Sequence, residues 1–197
     1  MNHQGTANQI IKVFSDIHLI ELVPFSIWFS YGSNLCRSDF EEKMKKRGSN
    51  LSLLNPKTFR LWGWKRTLSN ESSTRGLAYT IVRGIESEFV DGIVHEIPER
   101  DLGPFLSFEG VLDNNSSLVI TKRRYDIVKI WNSKENSVFF TLVGRQVVLN
   151  EQQRNYLIRM HKPKIVDYVK TALNGALDFE IDPAPFFNDL KEIDGST

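Results

Sequence analysis

Aromatic and β-branched runs fill the middle of this chain, while helical periodicity is concentrated after residue 150. Phe25 to Tyr31, Phe59 to Trp64, Leu77 to Val82 and Phe89 to Ile97 each read as strands. Leu118 to Trp131 and Ser137 to Val148 read as a long hairpin that turns near Asn132 to Asn136. Asn150 is placed to cap a helix through Met160, and Pro163 suits the first turn of the next. In that second helix Ile165, Val166, Val169, Ala172, Leu173 and Ala176 recur at helical spacing. Elements that run strands first and helices last argue for an α+β fold. A doubly wound parallel sheet would alternate them.

The first strand is followed at once by Gly32 and then by Ser38-Asp39-Phe40-Glu41, which has the form of a capping box. The helix it predicts runs to about residue 47. Lys43, Lys45, Lys46 and Arg47 crowd its last turn, where cations suit the dipole, and Gly48 is its stop. Residues 67–76 read as a polar loop. Pro98 to Leu106 reads as broken helical turns, because Gly103-Pro104 argues against one continuous helix. Asp182-Pro183 opens a last short turn carrying Phe186, Phe187 and Leu190. The expected division is a leader at 1–24, one domain at 25–191 and a tail at 192–197. Within the leader, Ile10, Ile11, Val13 and Phe14 could pack on the domain as a short helix or strand.

Charge narrows the function classes. The 25 basic and 24 acidic residues leave a net charge of +1, so no global field draws in nucleic acid or an anionic membrane. One cysteine, Cys36, excludes an intramolecular disulfide. Leu19 to Phe29 is the most apolar stretch, and Glu21, Pro24 and Ser26 interrupt it, so it is too broken to span a bilayer. The expectation is a soluble cytoplasmic protein.

Three segments carry chemistry. In Phe29-Ser-Tyr-Gly-Ser-Asn-Leu35 a glycine follows a buried strand and precedes a helix. Such a turn either serves chain geometry alone or gathers amide N–H groups into an anion site. In Phe105-Leu-Ser-Phe-Glu-Gly110, Glu109 follows an apolar run. It is either an exposed residue at a helix end or a carboxylate set in apolar surroundings, where a proton is held tightly enough for acid/base work. Tyr168, among apolar helix positions, reads as a core tyrosine whose hydroxyl has a neighbour to bond. Asp16-Ile-His18 matches the first metal motif of metallophosphoesterases, but the Gly-Asp and Gly-Asn-His elements they also need are missing. His95 and His161 have no ligand-spaced partners, Cys36 has no base that can be named, and Lys122-Arg123-Arg124 reads as a solvated strand edge.

Taken in order, these segments resemble the γ-glutamylcyclotransferases and the plant AIG-type proteins that share their fold. Four blocks carry the resemblance. Trp28-Phe-Ser-Tyr-Gly-Ser-Asn-Leu35 is like the family strand ending in Tyr-Gly-Ser-Asn-Leu. Gly76-Leu-Ala-Tyr through Val90-Asp-Gly-Ile-Val-His-Glu-Ile97 is like its Gly-x-Ala and Val-x-Gly-x-Val strands. Asp101 to Val111 is like the segment holding its catalytic Glu-Gly, and Tyr168 with Gly175-Ala176 is like its C-terminal helix. Two stretches depart from the pattern. The family has a tyrosine soon after Glu-Gly, whereas Asp113-Asn-Asn-Ser-Ser117 intervenes here and the first tyrosine is Tyr125. The turn after Gly-Ala is replaced by Leu177-Asp-Phe-Glu-Ile-Asp-Pro183.

The resemblance implies a mixed, barrel-like sheet with flanking helices. It implies a reaction in which the α-amine of a γ-glutamyl compound attacks its own γ-carbonyl, forming 5-oxoproline and releasing an amine or amino acid. It assigns Glu109 as the general acid/base and Trp28, Tyr31, Gly32, Ser33, Asn34 and Tyr168 to the substrate pocket. It asks for no metal or cofactor. A binding protein that keeps the fold, or another acyl transfer or amide hydrolysis in the same pocket, stays open beside it.

Overall fold

The computed structural model describes residues 11–13, 25–112, 125–132, 136–144 and 149–195. Strands β1 (Ile11–Val13), β2 (Phe25–Ser30), β3 (Leu54–Trp62), β6 (Phe89–Pro98), β7 (Tyr125–Asn132) and β8 (Ser137–Gly144) form a six-stranded sheet in the order β1-β7-β8-β2-β6-β3. Only the β2–β8 pair is parallel. Strands β4 (Trp64–Ser72) and β5 (Gly76–Arg83) make a separate antiparallel hairpin. The Gly144 amide donates to Thr80 Oγ1 at 2.6 Å, which ties this hairpin to the end of β8. Helices α1 (Arg37–Lys45), α2 (Glu99–Phe108), α3 (Glu151–Asp178) and α4 (Ala184–Gly195) flank the sheets, so the architecture is α+β with a mixed sheet.

The core is aromatic around β2. Trp28 meets Phe105 edge-on at 4.9 Å between centroids, and Phe29 packs on Phe59 and Phe139. Offset and edge-on pairs of this kind add to the burial of the rings. Helix α3 opens with a true capping box. The Gln153 amide donates to Asn150 Oδ1 at 2.8 Å, and the Asn150 amide to Gln153 Oε1 at 3.1 Å. His161, with φ −128°, kinks the helix two residues before Pro163, where the sequence places the boundary between two helices.

Five local expectations are overturned. Residues 67–72 are strand rather than loop, part of β4, because Leu68, Ser69, Asn70 and Ser72 are buried and the backbone pairs with β5. Pairing outweighs the weak strand propensity of Ser and Asn. Phe59 to Trp64 is therefore not one strand: Gly63, at φ +76°, turns the chain from β3 into β4. Helix α2 is continuous through Pro104. One backbone hydrogen bond is forfeited there, and burial of Leu102, Phe105 and Leu106 holds the helix together. Helix α1 is capped at Cys36, not Ser38, because a 3-10 turn over Ser33–Leu35 leads straight into it. Glu41 accepts from Ser52 instead of reaching back to the helix start. The short turn expected after Asp182 is the 12-residue helix α4, which continues to Gly195 and buries Phe186 and Ile193. Asp16 to His18, Lys122 to Arg124, and the expected strand ends at 118–124 and 145–148 lie outside the described residues.

Candidate active site

The strand, 3-10 turn and helix at residues 25–45 bring the Tyr31-Gly-Ser-Asn34 loop to one end of the sheet. Two other elements reach it. Helix α2 ends at Glu109, whose amide donates to the Phe105 carbonyl at 3.0 Å. Helix α3 arrives at Gly175, where an added Cβ would lie 2.2 Å from the Cys36 nitrogen. Only glycine permits that approach, and it sets Tyr168, two turns earlier, against the loop. The spacing from Tyr168 to Gly175 thus has a geometric cause.

The result is a cavity of about 220 Å³. Trp28, Tyr31, Gly32, Ser33, Asn34, Glu109 and Tyr168 all line it, so every residue singled out from the sequence faces one space. Asn34 Nδ2 donates to Glu109 Oε1 at 2.6 Å, joining the loop to the carboxylate. Trp28 Nε1 donates to Ser26 Oγ at 2.7 Å, which fixes the indole that walls the cavity. The Tyr31 hydroxyl is spent on the Leu142 carbonyl, so Tyr31 serves through its ring and backbone.

Tyr168 is the most informative wall. Its oxygen accepts the Tyr79 amide at 2.9 Å, and the Ser33 amide acts on the same oxygen. Burial raises its pKa, so the hydroxyl keeps its proton and can offer it to a ligand. The Ser33 amide is therefore directed at this tyrosine. Gly32 stands beneath: a Cβ there would come within 3.0 Å of the Tyr168 oxygen.

Several lining residues were not singled out from the sequence. Lys43 Nζ donates to Ser33 Oγ at 3.0 Å, and Arg75 Nη1 to the same oxygen at 2.9 Å. Lys43 is also ion-paired with Asp39. Burial, and then the nearby Arg75 charge, lowers its pKa. The signal for Lys43 was its position three residues after Phe40, on the buried face of α1, rather than its membership of the cation group at the helix end. Arg75 sits in the β4–β5 turn and had no local signal. Tyr125, the first tyrosine after Glu109, does line the cavity, with its hydroxyl 3.5 Å from the Tyr79 carbonyl. Among the described residues no cluster of His, Cys, Asp and Glu is placed to hold a metal ion, and no helix is long and apolar enough to cross a membrane.

No family model and no curated protein matches the sequence. A solved structure described as "Gamma-glutamyl cyclotransferase" superposes with a TM-score of 0.53 at 18% identity, covering 85% of this chain and 86% of that one. The fold is γ-glutamylcyclotransferase-like. At that identity the likeness establishes architecture and leaves the chemistry to be argued from the cavity.

Proposed function

We propose that this γ-glutamylcyclotransferase-like chain is an enzyme that cyclises γ-glutamyl compounds to 5-oxoproline. The observation that carries the reading is that the Glu109 carboxylate and the Tyr31 to Asn34 loop share one cavity and are joined by the Asn34–Glu109 hydrogen bond.

The substrate already contains its nucleophile, so the protein's task is to hold the folded-back conformer. Orientation of that kind supplies about 7–11 kcal/mol in favourable intramolecular reactions. The substrate's α-amine is protonated at neutral pH. Glu109 accepts its proton, the amine nitrogen attacks the γ-carbonyl carbon, and the bond from that carbon to the leaving nitrogen breaks. Glu109 then returns the proton to the leaving nitrogen and relays the second proton from the ring nitrogen, so the lactam keeps one N–H, the amine departs in its ammonium form and no water is consumed. Asn34 holds the carboxylate where it can take the amine's proton. The Tyr168 hydroxyl, its oxygen already serving as an acceptor, donates to the oxygen on which charge develops. One donor so placed is worth about 3–4 kcal/mol. Trp28 and Gly32 shape the wall, and Ser33 fixes the register of the loop.

The test is incubation with a panel of γ-glutamyl amino acids, amines and peptides, followed by mass spectrometry of the products. The expected result is 5-oxoproline with an equal amount of released amine. Glutamate in its place points to hydrolysis, and saturable binding without any product points to a binding protein. Either outcome removes the cyclisation reading.

A further inference from the structure

Cyclisation accounts for Glu109, Asn34 and Tyr168, but not for the cations. Among the described residues, Lys43, Arg47 and Arg75 line the cavity beside a single lining carboxylate, Glu109. Two of them converge on one atom, because Lys43 Nζ and Arg75 Nη1 both lie within 3.0 Å of Ser33 Oγ. Two like charges around one neutral hydroxyl repel each other. Lys43 is 9% exposed, and its ion-pair partner Asp39 is not among the lining residues. Arg75 lies 4.7 Å over the Tyr168 ring. A hydroxyl that accepts from two cations has its own proton left to give. The three groups together present donors, and a negatively charged group set against them relieves the repulsion.

We infer that Lys43, Ser33 and Arg75 form a side-chain anion subsite that selects substrates by negative charge on the departing group. An acidic amino acid is the preferred leaving group and an uncharged amine the poorest. This rests on the cyclisation reading, which fixes which part of the substrate departs. Ser33 and Lys43 are buried, Arg75 is half-buried, and Thr74 and Arg47 are exposed, so this group of lining residues runs from the buried wall of the cavity to its exposed rim. The invariant γ-glutamyl group sits beside Glu109 and the Tyr168 hydroxyl, where the reaction takes place. The variable leaving group then points outward, past the cations. Charge recognition of this kind at a half-buried site weakens as salt rises.

The experiment compares γ-glutamylmethylamine, γ-glutamylglycine and γ-glutamylglutamate, whose leaving groups carry no, one and two carboxylates. The wild-type kcat/KM is expected to rise at least tenfold across the series, and the span to shrink at high ionic strength. In Arg75→Gln the span collapses by about tenfold, and Arg75→Lys restores part of it. A flat wild-type series overturns the inference while cyclisation stands. So does an equal proportional loss for all three substrates in Arg75→Gln, which would mean that the cations hold the common α-carboxylate. If none of the three turns over, calorimetric binding of the same compounds decides. Charge-graded affinity that Arg75→Gln removes keeps the subsite and discards cyclisation, and ungraded or absent binding discards both.

Discussion

Tyr79 has one polar cluster at its amide and another at its hydroxyl. At the amide end stand Tyr168, Ser33, Lys43 and Arg75, around a cavity whose lining cations outnumber its carboxylates. At the hydroxyl end, Tyr79 donates to Asp189 Oδ2 at 2.7 Å. Arg66 lies there over the Tyr79 and Phe186 rings at 5.0 and 3.6 Å. That second cluster answers one cation with one carboxylate and two aromatic faces, and neither Arg66 nor Asp189 lines the cavity. Groups that satisfy each other hold a fold together. Cationic donors that converge on a neutral hydroxyl beside an open space are arranged for something that comes and goes.

The contrast can be broken most decisively at Glu109. Glu109→Gln keeps the size and the Asn34 contact but cannot shuttle the proton, and 5-oxoproline formation should fall on the order of 10²–10⁴-fold with the fold intact. Activity within a few-fold of wild type would remove Glu109 from the acid/base role.

A third buried polar pair, Ser30 with His95, sharpens the contrast through pH. Ser30 Oγ lies 3.0 Å from His95 Nε2, and burial pushes the His95 pKa down from 6.5 to about 4. The unfolded chain therefore binds the proton more readily than the folded one. The stability from keeping His95 neutral is complete above pH 6.5 and is lost as pH falls toward 4, on the order of 3 kcal/mol in all. Urea unfolding at pH 7 and 4.5 checks this. His95→Gln should flatten the difference, and an unchanged slope would show that other groups set it.

In the balanced cluster, Asp189→Ala removes the acceptor of the hydroxyl of buried Tyr79 and should cost about 1–3 kcal/mol of stability. It should leave the ranking of leaving groups as it is, and a changed ranking would show that the two clusters are coupled through Tyr79. Gly32→Ala tests the smallest displacement. Its Cβ would press on the Tyr168 oxygen at 3.0 Å, and KM should rise about tenfold. An unchanged KM would mean that Tyr168 does not touch the substrate.

Legibility of the site divides along the same line. Glu109, Asn34, Gly32 and Tyr168 stand in short motifs whose order resembles a known family, and the structure brings all four to one cavity. Lys43 and Arg75 could not be paired in advance. They meet only because a helix and a hairpin turn 32 positions apart both fold against Ser33. The main strand order of the sheet likewise depends on long-range pairing, yet its strands were readable wherever aromatic and β-branched residues ran together. Strand β4 was not, because Ser69, Asn70 and Ser72 are polar residues buried by their partners. Helix α2 was missed because the penalty at Pro104 is local, and the burial that outweighs it belongs to the tertiary structure.

The central claim is that the substrate's own amine, and not water, attacks the carbonyl beside Glu109. Turnover of a γ-glutamyl compound in water enriched in ¹⁸O tests it directly. The account predicts unlabelled 5-oxoproline and one equivalent of released amine. Labelled glutamate, or no 5-oxoproline from any γ-glutamyl compound, would contradict it.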